Sequence, residues 1–287
     1  MTNLPLSGLR SILFTPGTDP RKITSALAGA ADGVALDLED AVRPQDKLAA
    51  RDTVIAAVSA EGSPSSAAPL RIVRINALDT EWGLGDLAAL KSAAVRDLVD
   101  AIILPKATPQ ALADLDTGGI PVIALIETAA GLRRAYEVAA HRSVHALALG
   151  SADLGAELDW VPRPDGLELL HARATLVLDS AAAGIRAPFD VVYVDTRNQA
   201  GLLAESAMGR TLGLGGKMCI HPSQIPTVNQ VFAPTTDEIA LAEEIVKEFE
   251  RALEAGSGVA VVRGRMVDQP VVTLARRTLA KLARPTR

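Results

Sequence analysis

The chain has 287 residues, of which 48% are hydrophobic, 22% are charged and only 3% are aromatic. This composition supports a large buried core and excludes an intrinsically disordered chain or a coiled coil. The formal net charge is −5, and few aromatic side chains are available for base stacking, so we expect no nucleic-acid partner. The length fits one large α/β barrel or two ordinary domains.

The cysteine count and the terminal sequence bear on the compartment. Cys219 is the only cysteine, which excludes an intramolecular disulfide and a cysteine-rich metal site. The N-terminal residues lack the pattern of a secretory signal, and no apolar run reaches the roughly 18 residues that span a membrane. We therefore expect a cytoplasmic protein with no membrane partner.

Short apolar runs recur along the chain at intervals of roughly 20 to 45 residues, and most intervals contain an Ala/Leu-rich stretch of helical period. This βα rhythm predicts parallel strands. Eight units within about 220 residues favour a (β/α)8 TIM barrel over a doubly wound sheet, because no break resembles an interdomain linker. The predicted strands are 11–17, 33–40, 70–76, 101–106, 121–128, 146–153, 189–195 and 217–222.

The predicted barrel occupies residues 1–225, and residues 226–287 exceed what a minimal barrel needs. Thr235 and Glu238 form a capping-box pattern that opens a helix, and a last helix is predicted after GRMVDQP (264–270). We predict a C-terminal helical extension that packs on the barrel or on a neighbouring subunit as a lid or arm. A helix that only closes the bottom of the barrel is an equal alternative. The predicted helix that begins after Thr235 has one apolar face, formed by Ile239, Ala242, Ile245, Phe249 and Leu253.

Charged residues end several of the predicted strands, on the rim where barrel enzymes place their chemistry. Glu127 and Asp153 end consecutive strands, so we expect them to be neighbours that share a cation. Two carboxylates without a nearby His or Cys favour Mg²⁺ over Zn²⁺. The alternative is that these acids form structural ion pairs with Arg74 and Lys106.

Three basic residues are candidates for substrate binding. Arg74 carries a planar donor fork suited to a carboxylate or carbonyl group, or it forms a buried ion pair. Arg21 and Lys22 open the first predicted helix, where they could meet phosphate groups of a large substrate. A solvated basic pair is an equal alternative for these two residues.

Seven motifs in order resemble the citrate lyase β-subunit-like family, part of the HpcH/HpaI aldolase group that includes malyl-CoA and citramalyl-CoA lyases. The resemblance extends from about residue 9 to residue 283. The motifs are RSILFTPG (10–17), LDLEDAV (36–42), RIN (74–76), LPK (104–106), IET (126–128), LGSADL (149–154) and GKMCIHPSQ (216–224).

The resemblance implies an Mg²⁺-dependent barrel enzyme that cleaves a 3-hydroxyacyl-CoA, or forms one by condensation. It places the metal ligands on Glu127 and Asp153 and the substrate-binding arginine on Arg74. It also implies that Asp268, in the GRMVDQP segment, reaches the active site of a neighbouring subunit as acid or base. We accordingly expect a homo-oligomer, a trimer or a hexamer.

The resemblance assigns further residues to the surroundings of the site. Asp37, Glu39 and Asp40 of LDLEDAV, together with Lys106, are expected to line or support it. Arg21 and Lys22 are expected near the CoA.

Three other functions remain open at this stage. The same site would serve a malyl-CoA-type thioesterase, or an aldolase that acts on a free 2-oxo acid without CoA. A third possibility is a β-like subunit of a citrate lyase complex that acts on a carrier-protein thioester.

Overall fold

A computed structural model describes residue 6, residues 8–62 and residues 68–282 of the chain. The chain divides into two compact units, the first ending at Phe232 and the second beginning at Ala233. Within the described residues, no helix is both long enough and apolar enough to cross a membrane.

The first unit is a closed barrel of eight parallel strands in sequence order, in which β8 pairs with β1. This confirms the predicted TIM-barrel fold. The strands are Ser11–Pro16 (β1), Gly33–Asp37 (β2), Leu70–Arg74 (β3), Ala101–Leu104 (β4), Val122–Ile126 (β5), Val144–Leu149 (β6), Phe189–Asp190 (β7) and Gly216–Cys219 (β8).

Helices follow the strands around the barrel. They are Pro20–Leu27 (α1), Lys47–Ala60 (α2), Gly83–Leu90 (α3), Pro109–Leu112 (α4), Ala129–Arg133 (α5), Ala135–Ala139 (α6), Ser151–Glu157 (α7), Leu170–Ala183 (α8), Gln199–Leu212 (α9) and Ile225–Phe232 (α10). In α1, Asp19 caps the helix by accepting hydrogen bonds from the amides of Arg21 and Lys22, and Pro20 is the first helical residue.

Alternate residues along the strands belong to two separate apolar clusters. One cluster fills the barrel interior and includes Ala35, Ile72, Ile103 and Leu125. The other lies between the outer face of the strands and the helices and includes residues such as Val73 and Ile102. A strand alternates its side chains between two faces, so β1 to β6 and β8 contribute to both clusters. Strand β7 contributes only Phe189, to the interior cluster.

A buried ion network lies outside the barrel, between its last two strands and two helices. Asp190 on β7 is fully buried and accepts hydrogen bonds from Arg173 Nε at 2.7 Å and from Lys217 Nζ at 3.0 Å. Glu205 lies 2.6 Å from the same ammonium group. Burial opposes ionisation of Asp190, but the charges of Lys217 and Arg173 hold its pKa below the usual value. The strand pattern gave no sign of this network.

The second unit consists of the helices Thr236–Glu254 (α11) and Gln269–Ala280 (α12) with an antiparallel hairpin, Ala260–Val262 (β9) and Arg265–Val267 (β10), between them. The predicted capping box is confirmed: Thr235 and Glu238 exchange hydrogen bonds between side chain and backbone. Phe249, Val262 and Val272 belong to the core of this unit, whereas Leu253 is exposed. The hairpin between the two helices is an element that the sequence pattern did not predict. Its three-residue strands are too short to give a recognisable alternation.

Candidate active site

Three polar side chains continue the inward-facing series of their strands. Asp37 is two residues after Ala35, Arg74 two after Ile72, and Glu127 two after Leu125, and each of these apolar residues lies in the interior cluster. A period of two therefore places the polar groups directly above the interior core, at the carboxyl ends of β2, β3 and β5.

A cavity of about 450 Å³ opens above that core. Its lining includes carboxylates, Arg74 and apolar side chains from β1, β5, β6, β8 and the segment after β7. The lining residues are Phe14, Thr15, Pro16, Asp37, Asp40, Ala41, Arg74, Leu125, Glu127, Leu149, Gly150, Ser151, Ala152, Asp153, Val192, Met218 and Ile220. The structure thus brings Arg74, Glu127 and Asp153 together as predicted.

Arg74 is buried and held by three acids. Asp37 accepts hydrogen bonds from Nε at 2.7 Å and from Nη2 at 2.6 Å, which is a bidentate pair. Asp40 accepts from Nη1 at 3.2 Å, and the guanidinium lies 5.0 Å from the ring centre of Phe14. Asp37 also accepts hydrogen bonds from the amides of Glu39 and Ala41, so the turn after β2 is built around this ion pair. Arg74 therefore forms the buried ion pair that was its alternative role, and this ion pair lies on the wall of the cavity.

Glu39 completes the ion cluster but is poorly stabilised as an anion. Its Oε2 atom lies 2.7 Å from Nη1 of Arg74 without the alignment of a hydrogen bond. Burial raises the pKa of Glu39 to about 8, although the charge of Arg74 opposes this. The residue lies next to the cavity but is not among the residues that line it.

Glu127 is buried with one oxygen atom fixed by the backbone. Its Oε1 atom accepts a hydrogen bond from the Lys106 amide at 2.8 Å. Burial raises the pKa of Glu127 to about 7, opposed by that hydrogen bond. A Cβ atom at position 150 would lie 2.7 Å from Oε2, so Gly150 leaves the space beside this oxygen open.

Lys106 contacts both predicted metal ligands through different groups. Its backbone is in the left-handed region (φ 50°), which directs its amide toward Glu127, and its Nζ atom lies 3.8 Å from Oδ2 of Asp153. Both side chains of that ion pair are about half exposed. Asp153 thus forms the alternative ion pair with Lys106. Glu127 accepts a hydrogen bond from the backbone amide of Lys106 rather than from a basic side chain.

Asp153 is not at the end of a strand, contrary to the sequence prediction. Strand β6 ends at Leu149, Gly150 is the N-cap residue, and Asp153 lies in the first turn of α7. An acidic side chain is favourable there because the first turn of a helix carries partial positive charge. The residue still faces the cavity, since α7 begins directly at the rim of the barrel.

The donor set fits a magnesium ion. Two carboxylates that line one cavity, with an open space beside Glu127 Oε2, suit an ion that retains waters and binds substrate oxygens. In the part of the chain that the structure describes, no group of three or more His, Cys, Asp or Glu residues could hold a metal ion, so a closed protein cage of the zinc type is not present there.

The remaining predicted residues lie elsewhere. Arg21 and Lys22 are exposed on α1 and do not line the 450 Å³ cavity. Asp268 belongs to the second unit, where its Oδ1 atom accepts a hydrogen bond from the amide of Val271 and caps α12. The binding role of Arg21 and Lys22 and the acid–base role of Asp268 stay predictions.

Sequence reasoning missed several features of the cavity. Gly150 stood in the GSAD motif, but its role depends on the position of Glu127 and has no signal in spacing. Met218 could have been found, because it is an inward-facing residue of β8. Val192 follows the two-residue strand β7, where a period of two cannot be read.

Two family profiles match the chain. The HpcH/HpaI aldolase/citrate lyase profile matches residues 10–222. A profile of carbon–carbon bond lyases of the TIM-barrel fold matches residues 174–282.

Individual proteins with curated names or solved structures are similar over almost the whole chain. A (3S)-malyl-CoA thioesterase from Cereibacter sphaeroides is 39% identical over 95% of this chain and 94% of its own. The citrate lyase subunit beta of Escherichia coli is 37% identical over 95% of this chain and 92% of its own. The protein CitE of Mycobacterium tuberculosis, crystallised with magnesium, acetoacetate and coenzyme A, superposes with a TM-score of 0.77 at 33% identity, covering 97% of this chain and 99% of that one.

Proposed function

This chain belongs to the HpcH/HpaI aldolase/citrate lyase family, and we propose that it is an Mg²⁺-dependent lyase that cleaves a 3-hydroxyacyl-CoA into an acyl-CoA and a 2-oxo acid, or catalyses the reverse condensation. Family membership confirms the resemblance seen in the sequence and makes the chain a carbon–carbon lyase type of enzyme. The finer statement, the CoA thioester substrate and its cleavage, is our proposal.

One observation carries the proposal: Glu127, Asp153 and Arg74 line the same cavity above the barrel core. Two carboxylates are the hard oxygen ligands that Mg²⁺ takes together with substrate oxygens. The crystallised CitE protein binds magnesium and coenzyme A, and two further CitE structures contain magnesium with pyruvate or oxaloacetate. These are the classes of ligand that the proposed reaction requires.

Glu127 and Asp153 would hold the magnesium ion. When bound, the ion supplies a Lewis acid that lowers the cost of the alkoxide on the 3-hydroxyl carbon. The hydroxyl proton leaves to solvent water, and the bond between C2 and C3 of the acyl group breaks. The C3 oxygen becomes the carbonyl of the 2-oxo acid, and the electron pair of the broken bond passes to the thioester as an enolate.

The chain's own residues stabilise and protonate that enolate. Arg74, fixed by Asp37 and Asp40, would face the developing negative charge on the thioester oxygen with a guanidinium that needs no reorientation. Asp268 would donate the proton to C2, and in condensation it would remove that proton. The apolar wall of the cavity would keep water from the enolate carbon.

A second candidate function is hydrolysis of the thioester. It is favoured by the 39% identity to proteins named (3S)-malyl-CoA thioesterase. The same cavity would bind the substrate, and water would then release free CoA. Similarity to citrate lyase beta subunits also supports the alternative in which the substrate is a thioester on a carrier protein.

The test is a panel of malyl-, citramalyl-, β-methylmalyl- and citryl-CoA incubated with Mg²⁺, with separate measurement of 2-oxo acid, free thiol and remaining thioester. We expect release of 2-oxo acid with the thioester retained as a shorter acyl-CoA. Stoichiometric free thiol would favour the thioesterase, and no reaction with any thioester would contradict both CoA-based functions.

Two variants test whether the reaction takes place in this cavity. Glu127→Ala should lose Mg²⁺-dependent turnover by a factor of 100 or more, on the order of what one metal ligand contributes. Glu137→Ala removes an exposed carboxylate of α6 and is the matched control. Unchanged turnover in Glu127→Ala would contradict the proposed ligand.

A further inference from the structure

Lys47 is a buried lysine whose ammonium group binds backbone carbonyls instead of an acid. It is the first residue of α2 and is only 6% exposed. Its Nζ atom donates hydrogen bonds to the carbonyl of Leu38 at 2.9 Å and to that of Glu39 at 2.7 Å. None of the carboxylates in the described residues forms a hydrogen bond or an ion pair with this group.

A charge at this position is unfavourable for folding in two ways. A buried ammonium group costs free energy when no carboxylate binds it, and a cation in the first turn of a helix opposes the helix dipole. Burial accordingly lowers the pKa of Lys47, although the negative charges of nearby acids, Asp37 first among them, oppose this. A methionine would fill similar space without either cost, so the charge indicates a role in the neighbouring site.

The two carbonyls belong to the turn after β2, which holds Arg74. The Asp37 carboxylate accepts hydrogen bonds from two amides of this turn while it binds the guanidinium. Lys47 binds the carbonyls of Leu38 and Glu39 in the same turn. The turn is thereby fixed through both its amides and its carbonyls, and the acids that it carries keep the guanidinium in one orientation.

Trp82, the residue before α3, covers the ammonium group. The centre of its ring lies 5.5 Å from Nζ of Lys47, within the range of a cation–π contact. The Trp82 carbonyl accepts a hydrogen bond from Arg51 Nη2 at 3.1 Å, and Arg51 Nε donates to Asp86 of α3 at 2.7 Å. Asp86 also accepts from the amide of Asn76 at 2.9 Å. Hydrogen bonds among α2, α3 and the segment after β3 therefore hold the ring in place.

We propose that Lys47 is a positioning residue, whose ammonium group fixes the turn after β2 and thereby holds the carboxylates that orient Arg74 toward the reacting thioester. The inference rests on the proposed function, in which Arg74 stabilises the enolate. Lys47 does not line the cavity and acts only through this turn. The position requires a positive charge and not merely a long side chain.

Kinetics test the requirement for a charge. Lys47→Met keeps the length without the charge, and we expect kcat for the cleaved thioester to fall about 30-fold while KM changes less than about threefold. The loss falls on kcat because Arg74 acts on charge that develops in the transition state. Lys47→Arg retains the charge and should recover most of the loss.

Lys91→Met is the matched control, because it makes the same change at a partly exposed lysine that pairs with Asp116. It should leave kcat and KM as they are. Wild-type kcat in Lys47→Met, or an equal loss in Lys47→Arg and Lys47→Met, would overturn the requirement for a charge.

NMR gives a readout that does not need turnover. The Nε–H group of Arg74 is buried against Asp37, so its proton should exchange slowly with water, and Arg74→Lys identifies its signal by removing it. We expect Lys47→Met to speed this exchange about tenfold. The Nε–H group of Arg173, fully buried against Asp190, is the internal control and should keep its exchange rate.

The exchange measurement stands apart from the lyase assay. If the wild type cleaves no thioester, the proposed function is contradicted, but the exchange rate still decides whether Lys47 positions Arg74. An unchanged rate for the Arg74 proton in folded Lys47→Met would overturn the inference.

Trp82→Leu is a second variant, which decides the inference if Lys47→Met does not fold. It leaves the ammonium group in place but removes the ring that covers it, so water can compete for its hydrogen bonds. We expect the Arg74 Nε proton to exchange about threefold faster, with the Arg173 signal unchanged. Exchange as slow as in the wild type would count against a positioning role for Lys47.

Discussion

Glu39 is a buried acid whose ionised form is only partly compensated. Burial raises its pKa to about 8 from the usual 4.5, and the nearby Arg74 does not reverse this. Between these two values the unfolded chain releases the proton before the folded protein does, so the free energy of unfolding should fall as pH rises. Above about pH 8 this contribution should become constant.

We predict that Glu39→Gln reduces the slope of the free energy of unfolding against pH between pH 4.5 and about pH 8. Denaturant unfolding of the protein without added divalent cations, from pH 4.5 to pH 8, measures the slope. Glu61→Gln makes the same chemical change at an exposed helix end and should leave the slope as it is. An equal slope in Glu39→Gln and the wild type would contradict the prediction.

Lys106 combines a strained backbone with a charge beside a proposed metal ligand. Its left-handed conformation costs about 1 kcal/mol, and its ammonium group would compete with a cation for Asp153. Removal of that charge should tighten Mn²⁺ binding by about two- to fivefold, since a half-exposed ion pair is worth at most about 1 kcal/mol. Electron paramagnetic resonance of free Mn²⁺ measures the affinity.

Two variants separate the charge from the backbone. Lys106→Gly and Lys106→Ala both lose the ammonium group, so both should bind Mn²⁺ more tightly. Only Lys106→Gly relieves the left-handed conformation and should gain up to about 1 kcal/mol in free energy of unfolding relative to Lys106→Ala. Weaker Mn²⁺ binding in both variants would show that the ammonium supports the cation site rather than competing with it.

At the scale of elements, β7 and β8 are joined to α8 and α9 by the network around Asp190. The carboxylate is fully buried between Arg173 and Lys217, which are also fully buried. Asp190→Asn should reduce the free energy of unfolding by about 3–5 kcal/mol, because two buried cations lose their shared partner. Glu205→Gln should cost less, since that side chain is 18% exposed. Urea denaturation tests the order, and a smaller loss for Asp190→Asn than for Glu205→Gln would contradict it.

Most strands were predictable because they alternate between a barrel interior and a helix-covered exterior that are both apolar. The exceptions are β7 and β8, whose outer faces carry Asp190 and Lys217. Asp37, Arg74 and Glu127 could be placed because they end such runs in phase with Ala35 and Leu125. Asp153 lines the cavity but lies in α7 rather than at the predicted strand end. The sequence GSAD has no alternation of polar and apolar residues that would separate a strand end from a helix start. The network of Asp190 escaped notice because its members are brought together only by packing across distant elements.

At the scale of the whole molecule, the proposed chemistry draws on both compact units. Glu127 and Asp153 belong to the barrel unit, whereas Asp268 belongs to the unit that begins at Ala233. Asp268 also caps α12, so a loss of activity in Asp268→Ala would mix two effects. Asp268→Asn retains a good N-cap and removes only the acid, and it is therefore the informative change.

The resemblance predicts that Asp268 acts in the site of a neighbouring subunit of a homo-oligomer, and mixed oligomers test this. Glu127→Ala and Asp268→Asn should each be inactive alone. Coexpressed in equal amounts, they should regain about a quarter of wild-type activity, because in a cyclic assembly about one site in four pairs an intact Glu127 with an intact Asp268 from the next subunit. The two variants purified separately and mixed without subunit exchange are the control. Full inactivity of coexpressed oligomers that contain both chains would show that Asp268 serves the site of its own chain.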